Sequence, residues 1–234
     1  MQLNGKLAIV TGGSKGIGKA TAKALVKKGC KVIITARDKE KLLQTAEETS
    51  AIPYAMDVSN ENEVISLFEY IQREFGRLDI LINNAGLIKG TATIDHCEWK
   101  DFEYVFGINV FGAAMMAKYA SQIFKNQQSG NIINIASTAA LKGYKGGSIY
   151  AASKFALRGM TQCWQDELRP YNVRVIQINP TYVPTAFGTT DGIEKPTESN
   201  KVSSSDVAHT IISALEMDDK AFIPELTVWA TNPW

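Results

Sequence analysis

A doubly wound α/β domain on a mostly parallel sheet is the fold this sequence predicts, and three observations carry it. Short apolar runs alternate with stretches of helical apolar spacing along the whole chain. The runs are continuous rather than alternating, as strands buried on both faces of a parallel sheet require. Glycine-rich and polar clusters fall directly after several of the runs. No internal repeat, low-complexity tract or linker divides residues 1–234. One domain of about seven strands with helices on both faces is expected.

Residues 6–11 read as the first buried strand. Thr11-Gly12-Gly13-Ser14-Lys15-Gly16-Ile17-Gly18 follows, and residues 19–28 carry Ala20, Ala24 and Leu25 at helical spacing up to Gly29, a helix stop. A strand, a glycine-rich turn and a helix in that order can cradle a phosphate. The glycines allow close backbone approach, and the helix N-terminus supplies free N–H groups and partial positive charge. The spacing runs TGxxxGxG rather than GxGxxG. Residues 31–37 form the second strand, and Asp38 opens a helix to about Glu48. Residues 52–56 are the third strand, ending in Asp57-Val58. Residues 61–75 are amphipathic, with Val64, Ile65, Leu67, Phe68 and Ile71 on the apolar face.

Residues 78–82 make the fourth strand and run into Asn83-Asn84-Ala85-Gly86. A long helix spans 99–125, interrupted by Gly107 and Gly112. The fifth strand, 131–135, leads to Ala136-Ser137-Thr138. A helix over 148–169 stops at Pro170, and 173–178 is the sixth strand. The longest irregular stretch, 179–201, holds Pro180, Pro184 and Pro196. Its span of about 180–202 reads as a substrate loop or lid. A helix over 203–217 and a Pro-marked strand over 221–228 complete the chain.

With 234 residues, 45% of them apolar, the chain can bury a substantial core. Lys and Arg number 25 against 24 Asp and Glu, a net charge of +1, which argues against charge-driven binding to nucleic acid or a membrane surface. No run approaches the ~20 apolar residues of a membrane-crossing helix. The first residues lack the form of a signal peptide. A soluble, cytoplasmic protein is expected. Cys30, Cys97 and Cys163 include no CxxC pair, so neither a disulfide framework nor a metal site is expected. Cys30 and Cys163 read as small core-side residues, and His96 and His209 offer no local motif for a Cys/His mechanism.

Tyr150-Ala-Ala-Ser-Lys154 places a phenol and an ammonium one helical turn apart on one face. A free phenol titrates near ~10. A fixed positive charge beside it favours the phenolate and brings it toward acid/base work. The same spacing also arises on helices that do no chemistry, so the pair gains its weight from the rest of the chain.

Taken in order, Thr11-Gly12-x-x-x-Gly16-x-Gly18, Asp57, Asn83-Asn84-Ala85-Gly86, Asn109, Ser137 and Tyr150-x-x-x-Lys154 resemble the short-chain dehydrogenase/reductase family of Rossmann-fold oxidoreductases. The resemblance covers essentially the whole chain. In open parallel sheets ligands bind outside the carboxyl ends of the strands, which is where these motifs fall.

The resemblance implies a role for each residue. Tyr150 would be the general acid in carbonyl reduction. Lys154 would lower the phenol's pKa and bind the nicotinamide ribose. Ser137 would hydrogen-bond the carbonyl oxygen, and Asn109 would hold a water linking Lys154 to solvent. Gly12, Ser14, Lys15, Gly16, Ile17 and Gly18 belong to the cofactor cradle. Asn84, Ala85 and Gly86 would lie beside the adenosine ribose, with Asp57 and Val58 at the adenine. Pro180, Val183 and Thr185 would face the nicotinamide. A homodimer or homotetramer, built on the helices of Asn109 and Tyr150, is implied too.

An acidic residue about 20 positions beyond the glycines binds the ribose 2′-hydroxyl of NAD, and Asp38 falls at that distance. The second strand, however, ends at about Thr35-Ala36, where NAD-preferring members of the family carry the acid. Here Ala36 stands there, followed by Arg37. Asp38 is better explained as a helix N-cap, and Lys15 adds a second cation. Two cations without a strand-end carboxylate suit a 2′-phosphate, so NADP(H) is the expected cofactor.

By overall look the chain also resembles the family's 3-oxoacyl-(acyl carrier protein) reductases, but it departs from them at several positions. Gly147 stands where that subfamily has Gln, Gln128 and Tyr171 stand where it has carrier-docking arginines, and Pro180-Thr181 replaces Pro-Gly. Candidate substrate-wall residues are Ala139, Leu141, Tyr144, Tyr182, Ala186 and Phe187. They favour a small-molecule ketone or aldehyde, and its alcohol, with an apolar body. The readings kept open are a carbonyl reductase, a 3-oxoacyl-(acyl carrier protein) reductase, and a non-catalytic NADP-binding sensor or scaffold.

Overall fold

The computed structural model describes residues 1–89, 91–189 and 193–234, so part of the expected substrate loop, 190–192, lies outside the described residues. Strands β1 (Leu7–Thr11), β2 (Lys31–Ala36), β3 (Ile52–Ala55), β4 (Ile80–Asn83), β5 (Gly130–Ile135), β6 (Val173–Pro180) and β7 (Glu225–Val228) form one sheet in the order β3-β2-β1-β4-β5-β6-β7. Every neighbouring pair is parallel. The chain starts in the middle, winds outward to β3, and returns to place β4 on the other side of β1. That reversal opens a crevice at the carboxyl ends of β1 and β4.

Strand periodicity explains why the runs are apolar throughout. Ala8, Val10, Ile34, Ile82, Ile133 and Ile176 point to one face, where they pack with Leu25 of α1 (Gly16–Lys27), Leu42 of α2 (Lys39–Thr49) and Ile211 of α7 (Ser204–Leu215). Leu7, Ile9, Ile33, Leu81, Ile132 and Val175 point to the other, against Leu67 of α3 (Glu61–Glu74) and Phe124 of α5 (Ala113–Gln127). Both faces are covered, as a parallel sheet demands.

The long helix expected over 99–125 is three segments. Between α4 (Trp99–Phe106) and α5, residues Gly107–Gly112 form a π-helical turn, a local widening common at functional sites. Gly112 is required there by close approach, because a Cβ would sit 2.8 Å from Val58 Cγ2. Asp38 caps α2 as predicted, its Oδ1 accepting from the Lys41 N–H at 3.0 Å.

The strand expected over 221–228 begins only at Glu225. Pro224 cannot donate to a ladder, and its carbonyl instead accepts from the Gln177 N–H at 3.0 Å. Conversely β6 extends two residues past Ile178, pairing Asn179 and Pro180 with Thr227 and Val228. Cys30 is buried as expected, but Cys163 is exposed. It lies two positions from buried Thr161 on α6 (Ser148–Leu168), which turns it toward the opposite side of the helix.

Candidate active site

The crevice opens into a cavity of about 1100 Å³ that runs from the glycine turn past the ends of β2, β4, β5 and β6. At its base, Gly12 and Gly16 adopt φ of +63° and +53°, a left-handed conformation open to glycine at little cost. Gly18 answers a different need: a Cβ there would lie 2.3 Å from the Gly12 carbonyl oxygen and 2.6 Å from Asn84 Nδ2. The start of α1 therefore packs directly on the turn and on Asn84. Gly16 and Ile17, the first residues of α1, line the cavity, and Lys15 at the N-cap provides no side-chain acceptor for their N–H groups.

Asn84 braces the turn from the β4 side. Its Nδ2 donates to the carbonyls of Thr11 and Gly12 at 2.8 and 3.1 Å, while the N–H groups of Asn84 and Ala85 donate to Thr11 Oγ1 at 3.0 and 2.9 Å. Asn109, in the π-helical turn, is almost fully buried. Its Oδ1 accepts from the Leu87 N–H at 2.8 Å, and its Nδ2 donates to the Leu87 carbonyl at 2.9 Å and to Ser153 Oγ at 3.0 Å. The amide is thus engaged with protein on both sides. A Cβ on Gly86 would meet Asn109 Oδ1 at 3.2 Å and Lys154 Nζ at 3.5 Å, so the β4 motif, the π-helical turn and α6 converge at one point.

Ser137, Tyr150 and Lys154 line the same cavity. Ser137 opens a short 3₁₀ turn, Thr138–Ala140, and its Oγ accepts from the Ala139 N–H at 3.1 Å. Lys154 is buried, its Nζ donating to the Ile135 carbonyl at 2.9 Å and standing 5.7 Å from the centre of the Tyr150 ring. Burial draws the ammonium down to about 8. The Tyr150 phenol goes the other way. Burial pushes it up to about 12, with the Ser137 side chain acting in opposition. The expectation that Lys154 lowers this phenol is therefore corrected. Desolvation is the largest influence on the phenol, Tyr144 adds to it, and the Lys154 proton is directed at the Ile135 carbonyl rather than at the phenol.

A family profile described as short chain dehydrogenase matches residues 6–195. The chain is 34% identical over 229 residues to an uncharacterized oxidoreductase of Staphylococcus aureus, covering 97% of both chains. The chain belongs to the short-chain dehydrogenase/reductase family. Among solved structures, a metagenomic short-chain oxidoreductase in complex with NADP superposes with a TM-score of 0.84 at 28% identity, covering 97% of this chain and 98% of that one. A 3-ketoacyl-(acyl-carrier-protein) reductase from Brucella melitensis complexed with NADH gives 0.88 at 27%, covering 99% and 100%.

At the far end of the cavity from Tyr150, Arg37 follows Ala36 at the end of β2. Its Nη1 donates to the Tyr104 hydroxyl at 3.2 Å and lies 3.6 Å from Asp57 Oδ2. Asp57 in turn accepts from the N–H and Oγ of Ser59, and Val58 backs the π-helical turn. Pro180, Val183 and Thr185 line the cavity, with Thr185 laid against Gly16.

Ala139, Tyr144, Tyr182, Ala186 and Phe187 line the cavity as expected of a substrate wall, and the Phe187 ring centre is 5.8 Å from that of Tyr150. Leu141 does not line it. Its N–H closes the 3₁₀ turn on the Thr138 carbonyl at 3.0 Å, and the side chain is left exposed. Sequence reasoning missed Leu87, Ile88, Lys142 and Trp229, all of which line the cavity. Leu87 and Ile88 directly follow the Asn83–Gly86 motif, a usable signal. Trp229 reaches the cavity only because β7 pairs with the end of β6, which local sequence does not reveal.

Among the described residues no helix is long and apolar enough to cross a membrane, and no cluster of His, Cys, Asp or Glu could hold a metal ion.

Proposed function

We propose that this oxidoreductase is an NADP(H)-dependent reductase of ketones or aldehydes with an apolar body. The observation that carries the reading is the meeting of Ser137, Tyr150 and Lys154 at the aromatic end of a cavity whose other end is the glycine turn. The cradle fits a dinucleotide, since Gly12, Ser14, Gly16 and Ile17 line the cavity at the start of α1, which carries no acidic side chain in its first turn. Gly12, Ser14, Gly16 and Ile17 would hold the pyrophosphate. Lys15 and Arg37 would hold a 2′-phosphate, with Asp57 and Val58 at the adenine and Asn84, Ala85 and Gly86 beside the ribose. When bound, such a cofactor supplies or accepts a hydride at its nicotinamide.

Tyr150, protonated across the neutral range, gives its proton to the carbonyl oxygen as negative charge develops there. The Ser137 hydroxyl donates to the same oxygen. Lys154 holds cofactor hydroxyls at its ammonium and supports proton replacement. Asn109 would position that relay, its side chain fixed by Leu87 and Ser153. Pro180, Val183 and Thr185 face the nicotinamide end. Exposed Phe111 and Phe155, on the π-helical turn and α6, support self-association into a homodimer or homotetramer.

Against the 3-oxoacyl-(acyl carrier protein) reductase reading stands Gly147. A Cβ there would lie 2.5 Å from Tyr144 Cζ, so the tyrosine ring lies where a glutamine side chain would begin. Against a non-catalytic sensor stands the full set Ser137, Tyr150, Lys154. NADPH oxidation over a panel of aromatic and aliphatic ketones, with a 3-oxoacyl thioester offered free and carrier-bound, tests all three. Preference for the carrier-bound thioester would move the assignment to fatty-acid synthesis. Cofactor binding without turnover on any carbonyl would leave the sensor.

A further inference from the structure

The N-terminus of α1 already meets an anion, and it belongs to the protein. Glu194, an exposed residue in the stretch between β6 and α7, directs both carboxylate oxygens at backbone N–H groups. Oε1 accepts from Gly16 at 2.7 Å and Oε2 from Ala186 at 3.0 Å. Gly16 is the first residue of a 12-residue helix with no acidic side chain in its first turn and no acceptor at its N-cap. The negative charge at this helix end comes instead from 178 positions away. A carboxylate that takes a glycine-turn N–H with one oxygen and a loop N–H with the other places its charge where a phosphate at this helix end would place its own.

Two further contacts tie the same stretch to the turn and to the substrate wall. Thr185 packs on Gly16, and the Ala186–Thr189 segment folds on itself through the Ala186 carbonyl, which accepts from the Thr189 N–H and Oγ1 at 3.3 and 2.8 Å. Phe187, next to Ala186, lies against Tyr150. Lys195, next to Glu194, sits 5.4 Å above the Tyr182 ring.

We propose that Glu194 is an internal stand-in for the cofactor's pyrophosphate. It latches the substrate-wall stretch onto the glycine turn and must be displaced when a dinucleotide binds. This rests on the cofactor reading above. Two anions cannot both take the Gly16 N–H, so the carboxylate lowers the apparent affinity by the fraction of molecules in which it is latched. Its departure also frees Ala186 and Phe187 at the moment the cofactor arrives.

The test compares wild type with Glu194→Gln, which keeps the shape and removes the charge, and Glu194→Ala, which removes both. Dissociation constants for NADPH, NADH and adenosine 2′-monophosphate, which has no pyrophosphate, are measured by calorimetry without substrate. Both variants should bind NADPH and NADH roughly 10-fold more tightly, from the loss of a charge-assisted contact, and adenosine 2′-monophosphate unchanged. In wild type, amide exchange at residues 185–189 should rise on NADPH addition.

Equal dinucleotide affinity in all three proteins, or weaker binding by both variants, overturns the latch while leaving the cofactor reading intact. Tightening that extends equally to adenosine 2′-monophosphate also overturns it, since the effect would then be general charge. If none of the three binds any dinucleotide, the cofactor reading itself fails.

Discussion

The two halves of the cavity wall are built differently. The inner half, formed by the glycine turn, Asn84, Asn109, Ser137 and Lys154, stands directly on strand ends or on buried helix faces. Its polar groups are held by short hydrogen bonds to backbone, as in the Asn84 and Asn109 braces and the Lys154 contact to Ile135. The outer half, with Tyr144, Tyr182, Phe187 and Trp229, is made of exposed aromatic side chains on loops. Rigid placement is what charge stabilisation in a reaction needs, and adaptable apolar surface is what substrate choice needs. Substitutions in the inner half should therefore abolish chemistry, and those in the outer half should re-rank substrates.

The largest effect belongs to Tyr150. Tyr150→Phe removes the proton donor and keeps the ring against Phe187, so turnover should fall by about 10²–10⁴ while cofactor affinity holds within a few-fold. Steady-state kinetics beside cofactor titration checks both. Retained turnover would show that the proton comes from elsewhere and would erase the distinction between the two halves.

Lys154 tests whether the inner half is kept for function at a cost in stability. Burial depresses the lysine from 10.5 to about 8, so below pH 8 it is charged both folded and unfolded, and the folded state bears the full penalty, about 3 kcal/mol. Between pH 8 and 10.5 the folded form loses its proton first, the unfolded chain binds more protons, and stability rises with pH. Tyr150 acts with the opposite sign and later. Its raised value means the folded state keeps a proton the unfolded chain loses between 10 and about 12, so stability falls there.

Urea unfolding of wild type against Lys154→Met should show the wild-type gain between pH 8 and 10 and no such gain in the variant. Near neutral pH the variant should be no less stable, since release from the buried charge offsets the orphaned Ile135 carbonyl, about 1–3 kcal/mol. It should lose both cofactor affinity and turnover. A loss confined to turnover would remove the lysine from the cofactor site.

Legibility followed the same division. The strand ends could be read because glycine, asparagine and serine directly after apolar runs report local needs: a left-handed φ at Gly12 and Gly16, a close approach at Gly18, a turn opened by Ser137. The break at 107–112 was visible as two glycines, but its π-helical form depends on Val58 pressing on Gly112. Trp229 and Glu194 could not be read at all, because the first reaches the cavity, and the second the glycine turn, only through the tertiary fold. Leu141 was misplaced because a short 3₁₀ turn rotates it away from its neighbour Ala139. The phenol's direction was misjudged for a related reason: helical spacing shows that a cation is near, and only the fold shows how deeply the phenol is buried and that the Lys154 proton turns to Ile135.

Arg37 sits between the two regimes, half-exposed yet fixed by Tyr104 and Asp57. Arg37→Asp places a carboxylate beside a 2′-phosphate or a 2′-hydroxyl, repelling the first and accepting from the second. The ratio of kcat/KM for NADPH over NADH should drop by about 10–100-fold, one charge-assisted contact of roughly 1.5–3 kcal/mol. An unchanged ratio would mean that this pocket does not read the 2′ position.

The smallest effect is the one that characterises the outer half. Trp229 is 65% exposed although it lines the cavity, so its truncation removes apolar wall without opening a buried void. Trp229→Ala should leave the thermal midpoint within a few degrees and leave NADPH affinity unchanged. It should raise KM for bulky aromatic ketones by roughly 3–10-fold, the worth of about 1 kcal/mol of apolar contact, and spare small aliphatic ones. Leu141→Ala, also an exposed apolar residue but outside the cavity, serves as the control and should move neither KM. If both substitutions shift KM alike, the wall extends past the 3₁₀ turn and the outer half is wider than the cavity. If the tryptophan change lowers kcat for every ketone equally, the loops take part in fixing the reacting carbonyl, and the separation between a rigid inner half and an adaptable outer one breaks at Trp229.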